Sequence, residues 1–241
     1  MKRFIILSLS ILVFGSGCSS LLSRNDGKNK THRYVLEYDL PVDTTESKSP
    51  PWEANVWVRD FSITEPYRQN EIVYRASKYQ MEMYDFELWA LKPKFMISDM
   101  VFKHLRDARI FKQVSRSFEV ENVDYVLRGE ITALEEVDQD SSTWFAHLAM
   151  SMYFVNNHTQ KVVWTRSWDE QEKLQKNEPE FVVRSLSHLL ENIVTEAVSD
   201  LDSLMAEIQS QSKGQSTRTK QAPKEKPLTP PTNLPPPEIL R

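Results

Sequence analysis

The apolar residues of this chain follow two rhythms, a period of two over most of its length and a period near 3.6 in two stretches, and the changes between them mark its elements. Tyr34, Leu36 and Tyr38 alternate within Arg33 to Leu40 and predict a first strand. Glu53 to Phe61 predicts a second, with Ala54, Val56 and Val58 on one side and Trp57 on the other, and Glu71 to Ser77 a third. After Pro93, Ile97, Val101, Leu105 and Ala108 recur at helical spacing up to about Arg109; a proline suits a first helical turn because its missing N–H would lack a partner there anyway. Phe111 to Ser115 reads as a short strand. Tyr125, Leu127, Gly129, Ile131 and Ala133 mark one face of a long one. Phe145 to Val155 is almost continuously apolar and returns through the turn-rich Asn156 to Gln160 as Lys161 to Trp168, a hairpin. The last element is a long helix whose stripe runs through Val182, Leu186, Leu189, Ile193, Ala197, Leu201, Leu204 and Ile208, with Asn177 as cap and Glu180 three residues later as in a capping box. The order β-β-β-α-β-β-β-β-α predicts an α+β fold: a twisted, mainly antiparallel sheet with two helices packed on one face.

The two ends do not fit this pattern. Phe4 to Phe14 is apolar and follows Lys2 and Arg3. It is too short to span a bilayer, which needs about 20 residues, but it has the dimensions of a secretory leader. Gly15, Ser16 and Gly17 then precede Cys18, the only cysteine. A cysteine after small residues at the end of such a leader resembles the lipobox of bacterial lipoproteins, in which the thiol receives a diacylglycerol, the leader is removed and the new amino terminus is acylated. Gly15 departs from that pattern, which usually has leucine there. A plain leader with an incidental Cys18 is the simpler alternative; against it, no second cysteine exists as a disulfide partner. Ser19, by resemblance to the sorting rule of enteric bacteria, is compatible with export to the outer membrane. Beyond Gln209, seven of the thirteen prolines crowd into Pro223 to Pro237 among polar residues, a composition that cannot build a core. The expected organisation is a leader over 1–17, a flexible tether over 18–32, a domain over 33–208 and a disordered Pro-rich tail over 209–241.

Charge and glycine content narrow the function. With Lys2 and Arg3 and the six basic and two acidic residues of 209–241 set aside, residues 19–208 carry a net −10. Such a body has no clustered basic surface for nucleic acid. Gly129 is the only glycine between Lys28 and Lys213, so the glycine-rich loops that cradle phosphates in nucleotide and dinucleotide sites are excluded. No cofactor is expected. The five histidines (His32, His104, His147, His158, His188) show no metal-ligand spacing, and no serine sits in a nucleophile elbow. Glu135, Glu136, Asp138 and Asp140 form an acidic run that reads as a solvated strand end, with an acid/base pair or cation site as the less economical reading. No catalytic constellation emerges.

One stretch stands out, from Ile72 to Pro93, which packs Tyr79, Met81, Met83, Tyr84, Phe86 and Trp89 into eleven positions. Core filling by a strand and a loop is the plainer account. An interaction surface is the other, since Tyr, Trp and Met are enriched in interface cores; Tyr74, Arg75, Ser77, Tyr79, Tyr84 and Trp89 are then the candidate partner contacts.

Tyr74-Arg75-Ala76-Ser77, Tyr84, Trp89-Ala90 and Pro93, with the later Asp124-Tyr-Val-Leu-Arg-Gly129, resemble the signature of the ABC-type transport auxiliary lipoproteins. Lys78 departs from it where a proline is common, Leu91-Lys92 where the lead into Pro93 is more acidic, and Ile110-Phe111 lacks a preceding glycine. The resemblance spans residues 33 to 208 and the leader. It implies a non-enzymatic accessory subunit of an Mce-type system moving lipids or other hydrophobic compounds. Its partners would be a periplasmic Mce-domain protein and, through it, an ABC permease and ATPase. The protein would be held on the periplasmic face of the outer membrane by a lipid on Cys18, with a homo-oligomer left open. The rival reading is a structural lipoprotein of envelope or cell-wall assembly working through its Pro-rich tail.

Overall fold

The computed structural model describes residues 30–40, 51–117, 122–140 and 142–220. The leader, Cys18, most of the tether and the proline cluster lie outside the described residues. The described residues form nine strands: β1 (His32–Tyr34), β2 (Trp52–Val58), β3 (Ser62–Ile63), β4 (Glu71–Ser77), β5 (Gln80–Trp89), β6 (Phe111–Ser115), β7 (Tyr125–Asp140), β8 (Thr143–Asn156) and β9 (Val162–Lys173). Helix α1 (Pro93–Asp107) follows β5 and α2 (Pro179–Lys220) follows β9, while a single 3-10 turn spans Glu65–Tyr67. Pro93 and Pro179 each open a helix, where the ring costs no hydrogen bond. The described residues up to Val198 belong to one compact unit, and a second begins at Ser199.

Strand β7 is the spine. One of its edges pairs along its length with β8, which pairs in turn with β9; both ladders are antiparallel. The other edge is shared in succession by β2, β3 and β4, all parallel to it. β6 extends the sheet beyond β2, and β5 and β1 extend it beyond β4. Five pairings are parallel against three antiparallel, so the expected mainly antiparallel sheet is a mixed one. Alternation along a strand records which side is buried and is blind to the direction of the neighbour.

The two helices do cover one face. The register aligns Ile131, Met150 and Trp168 across β7, β8 and β9 and Leu127 with Val58 across β7 and β2. Four of these five are at most 1% exposed and Trp168 is 5% exposed; the Trp168 Nε1–H donates to Glu196 of α2 at 3.0 Å. Ser185 of α2 also donates to Glu172 at 2.7 Å. Helix α1 joins the same face through Phe61, whose backbone N–H donates to Ser98 Oγ at 2.9 Å.

The Phe61 ring lies against the backbone of Gly129, where a Cβ would overlap the ring edge. Gly129 does not have a positive φ, so its role is space. The single glycine of the domain is where an aromatic ring approaches a strand backbone. Gly129→Ala is expected to cost about 1–3 kcal/mol through overpacking, read as a lowered urea midpoint with an unchanged slope. Unchanged stability would mean that Phe61 relaxes freely.

Several boundaries differ from expectation for physical reasons. Only the first residues of the expected strand 33–40 pair, in β1. Beyond Tyr34 the chain is held by side chains instead: Leu36 is buried, Glu37 N–H donates to Ser187 Oγ and Tyr38 OH lies 3.1 Å from His104 Nδ1. β5, expected as the loop between the third strand and Pro93, is a full ten-residue strand paired antiparallel to β4. Asn177 does not cap α2. With its amide oriented to satisfy both neighbours, it donates to Glu136 Oε1 at 2.8 Å and accepts from Trp144 Nε1 at 2.9 Å. Glu180 pairs with Arg184 one turn on, at 3.0 Å. α2 is helical to Lys220, past the end of its predicted stripe. Among the described residues no helix is long and apolar enough to cross a membrane.

Candidate functional site

Consecutive residues of a strand point to opposite faces, so two adjacent acids in β7 cannot both avoid the interior. Glu135 and Glu136 are each only 1% exposed. The expectation of a solvated strand end is corrected: these are buried carboxylates, each with its own set of partners.

Glu135 points away from the helices. Arg75, on the neighbouring β4, grips it with two parallel bonds, Nε to Oε1 at 2.9 Å and Nη2 to Oε2 at 2.8 Å, the fork geometry that only arginine offers. Tyr67, set by the 3-10 turn, donates to Oε2 at 2.8 Å and accepts from Arg75 Nη2 at 3.2 Å. From β8, His147 Nδ1 lies 3.2 Å from Oε1, while its Nε2 lies 2.7 Å from Asp169 of β9. Burial pushes the Glu135 carboxyl up, but the bonds from His147, Arg75 and Tyr67 and the Arg75 charge outweigh it, leaving the carboxyl below its ordinary value. The bond to Glu135 raises His147 against the opposing effect of burial.

Glu136 points towards the helices. Tyr84 of β5 donates to its Oε2 at 2.8 Å, and Asn177 bonds its other oxygen from the segment leading into α2. The Tyr84 ring packs on Tyr74 with centroids 4.8 Å apart, and Tyr74 OH donates to Glu82. Among the described residues no cation pairs with Glu136. Burial, and then the Asp138 carboxyl beside it, push it up to about 7 despite the Tyr84 bond.

A folded-state value above the unfolded one means that the native state binds the proton more tightly between roughly pH 4.5 and 7, so stability falls as pH rises through that window. The loss attributable to Glu136 is on the order of 3 kcal/mol, at about 1.4 kcal/mol per unit. His147 adds a loss of the same sign above its usual range. The wild type is therefore expected to unfold more easily at pH 8 than at pH 5. Glu136→Gln, which keeps an acceptor for Tyr84, should flatten the curve, and the difference between the two urea-unfolding profiles isolates Glu136. Parallel profiles would refute the assignment.

The structure sorts the six candidate contact residues. Tyr74, Arg75 and Tyr84 turn onto the two glutamates or their neighbours. Trp89 is 1% exposed and belongs to the core, so its expected contact role is corrected. Ser77 and Tyr79 are exposed at the β4–β5 hairpin, where Ser77 Oγ accepts from Tyr79 N–H at 3.3 Å. Tyr79, at the tip, is 90% exposed. Met83 and Phe86 follow it on β5 at 39% and 40%. β1 covers only Glu87 to Trp89 of that strand, so the outer edge from Gln80 to Phe86 has no strand neighbour among the described residues. Sequence reasoning missed Tyr67, His147, Trp144 and Asn177, whose roles depend on contacts made across strands. The signal available was the Glu-Glu step inside an apolar pattern.

Among the described residues no three His, Cys, Asp or Glu side chains gather as metal ligands. The arrangement is one of buried struts beneath an exposed aromatic hairpin. Residues 34–198 match the model of the family described as the ABC-type transport auxiliary lipoprotein component. The chain belongs to this family. No curated protein matches it. A crystal structure of a protein from Xanthomonas campestris is similar with a TM-score of 0.65 at 18% identity, over 75% of this chain and 99% of that one. A second, of an uncharacterized protein, has a TM-score of 0.58 at 14% identity, over 72% and 99%. Both likenesses concern the fold. Of the residues that carried the resemblance, Arg75 reaches Glu135 and Tyr84 reaches Glu136, whereas Tyr74 bonds Glu82 and Pro93 opens α1.

Proposed function

We propose that this protein is a membrane-tethered, non-catalytic accessory subunit of an Mce-type ABC transport system for lipids or other hydrophobic compounds. A lipid on Cys18 would hold it to the periplasmic face of the outer membrane, and the β4–β5 hairpin would dock it on the periplasmic Mce-domain partner. The observation that carries the docking surface is the hairpin itself. Tyr79 stands 90% exposed at its tip above an open strand edge, while Arg75–Glu135 and Tyr84–Glu136 fix both strands from beneath. An unpaired edge with exposed apolar side chains is a template for a partner strand, and a preorganised one loses little freedom on binding.

The test has two parts. Tyr79→Ala with Met83→Lys is expected to weaken capture of the Mce-domain partner by roughly tenfold or more, about 1.4 kcal/mol, with thermal stability unchanged. Capture at wild-type strength would refute docking through the hairpin. Cys18→Ala is expected to yield a folded but mislocalised protein; continued fractionation with the outer membrane would refute the tether. Deleting residues 211–241 tests the rival reading: transport that survives the deletion supports the accessory subunit, and loss of all partner binding supports a structural lipoprotein acting through its tail.

A further inference from the structure

The sheet face opposite the helices holds an arrangement that the transport reading does not use. Val58 pairs with Leu127, and the next backbone bond, Arg59 N–H to Leu127 O at 3.0 Å, keeps the two chains adjacent. Arg59 and Arg128 therefore stand side by side on neighbouring chains. Both line one open cleft of about 510 Å³, with Tyr153 and Val162 as its apolar wall and Asp60 and Glu130 as its acidic rim.

Like charges directly opposite each other in a sheet are destabilising. Here no acid relieves them. Arg68, Arg75, Arg106, Arg116, Arg166 and Arg184 each form an ion pair, whereas among the described residues neither Arg59 nor Arg128 lies within ion-pair distance of a carboxylate. Asp60 is engaged by Arg116 instead. The Arg59 guanidinium rests over the Trp57 ring, 5.4 Å from its centroid, which holds it in place without neutralising it. In a body of net −10, two unneutralised guanidiniums facing one cleft are an exception that calls for an anion.

We infer that the Arg59–Arg128 cleft binds a phosphate group. A carboxylate is satisfied by a single guanidinium fork, whereas a tetrahedral phosphate offers separate edges to two. Asp60 and Glu130 at the rim repel an extended polyanion and admit a compact phosphate, above all one that carries an amine these acids can accept. That chemistry is shared by a phospholipid headgroup and by a small soluble phosphate compound.

Calorimetric titration of the full chain with inorganic phosphate and with glycerophosphoethanolamine tests the site, against chloride at equal ionic strength. The wild type is expected to bind at least one of them and to melt at a higher temperature in its presence. Arg59→Gln with Arg128→Gln should weaken binding by roughly tenfold or more and abolish the thermal shift. In chloride alone this double variant should be at least as stable as the wild type, because a like-charge contact has been removed. Preference for glycerophosphoethanolamine identifies a lipid headgroup, and preference for inorganic phosphate a soluble ligand; either supports the site. If the wild type responds to neither probe beyond chloride, or the double variant binds as well as the wild type, the inference fails. If the double variant is destabilised in chloride and no phosphate response is lost, the pair is structural and the inference also fails.

Discussion

Trp89→Ala is expected to remove about 3–5 kcal/mol of folding stability, the range for truncating a buried large aromatic. Trp89 is 1% exposed at the end of β5. It pairs with Tyr34 of β1, and its backbone N–H donates to Asn70 O at 2.5 Å. It thus lies where β1, β5 and the segment before β4 meet, and an alanine would leave a cavity that backbone pairing prevents from closing. For a domain of this size the loss consumes a large part of a total of roughly 5–15 kcal/mol. Urea unfolding should show a large fall in midpoint, and partner capture should fall only as the folded fraction falls. A variant that stayed as stable as the wild type but lost partner capture would restore Trp89 as a contact residue. Tyr79→Ala is the contrasting case: at 90% exposure it should change stability by no more than about 0.5 kcal/mol.

Arg75→Ala should be of similar size, about 3–5 kcal/mol, because removing one partner leaves the other as an uncompensated buried charge. The Glu135 side chain is 2% exposed and Arg75 28%. With the guanidinium gone, Tyr67 and His147 alone face the carboxylate. Replacing both members by apolar residues of similar volume, Arg75→Met with Glu135→Leu, should recover much of the loss. A double-mutant cycle by chemical denaturation measures the coupling. A loss no larger than for an exposed ion pair, under about 1 kcal/mol, would show that Glu135 is better solvated than its burial implies. The pH dependence has its own sign. Glu135 is held below its ordinary value, so its contribution is present above about pH 4.5 and is lost as pH falls through the folded value. Glu136 acts at higher pH and in the opposite sense, so the two carboxylates separate on the pH axis.

How much of this was legible before folding depends on the range of the interaction concerned. β4 and β6 coincide with their predicted spans, and α1 begins at Pro93 as expected, because the proline, the alternation and the helical spacing are all local signals. β5 was obscured. The hairpin turns through Lys78 and Tyr79, neither of which has a positive φ, so the Asn-Gly type of signal that announces many hairpins is missing. Its residues also mix Met81, Met83, Tyr84 and Phe86 with Glu82, Asp85 and Glu87, and its ladder to β4 is broken by register shifts, so no clean alternation announces it. The rarity of glycine is visible in the sequence, but the use of Gly129 emerges only where Phe61 comes to rest on it. Asn177 fits a cap by spacing, but its amide bonds a buried glutamate 41 residues earlier in the chain.

From sequence alone came the α+β class, the two helices, the mature domain's expected start near the lone Cys18, and the family signature of Tyr74, Arg75, Tyr84 and Trp89. Each follows from side-chain periodicity, composition or short spacing, which are properties of neighbouring residues. Tertiary structure alone decided that β2, β3 and β4 run parallel along β7, that Glu135 and Glu136 are buried on opposite faces, that Trp89 is core while Tyr79 is surface, and that Arg59 stands beside Arg128. These depend on the register between strands distant in sequence. That register is set by which apolar faces can be buried together, and one residue of slip would exchange the faces and dissolve every one of these contacts.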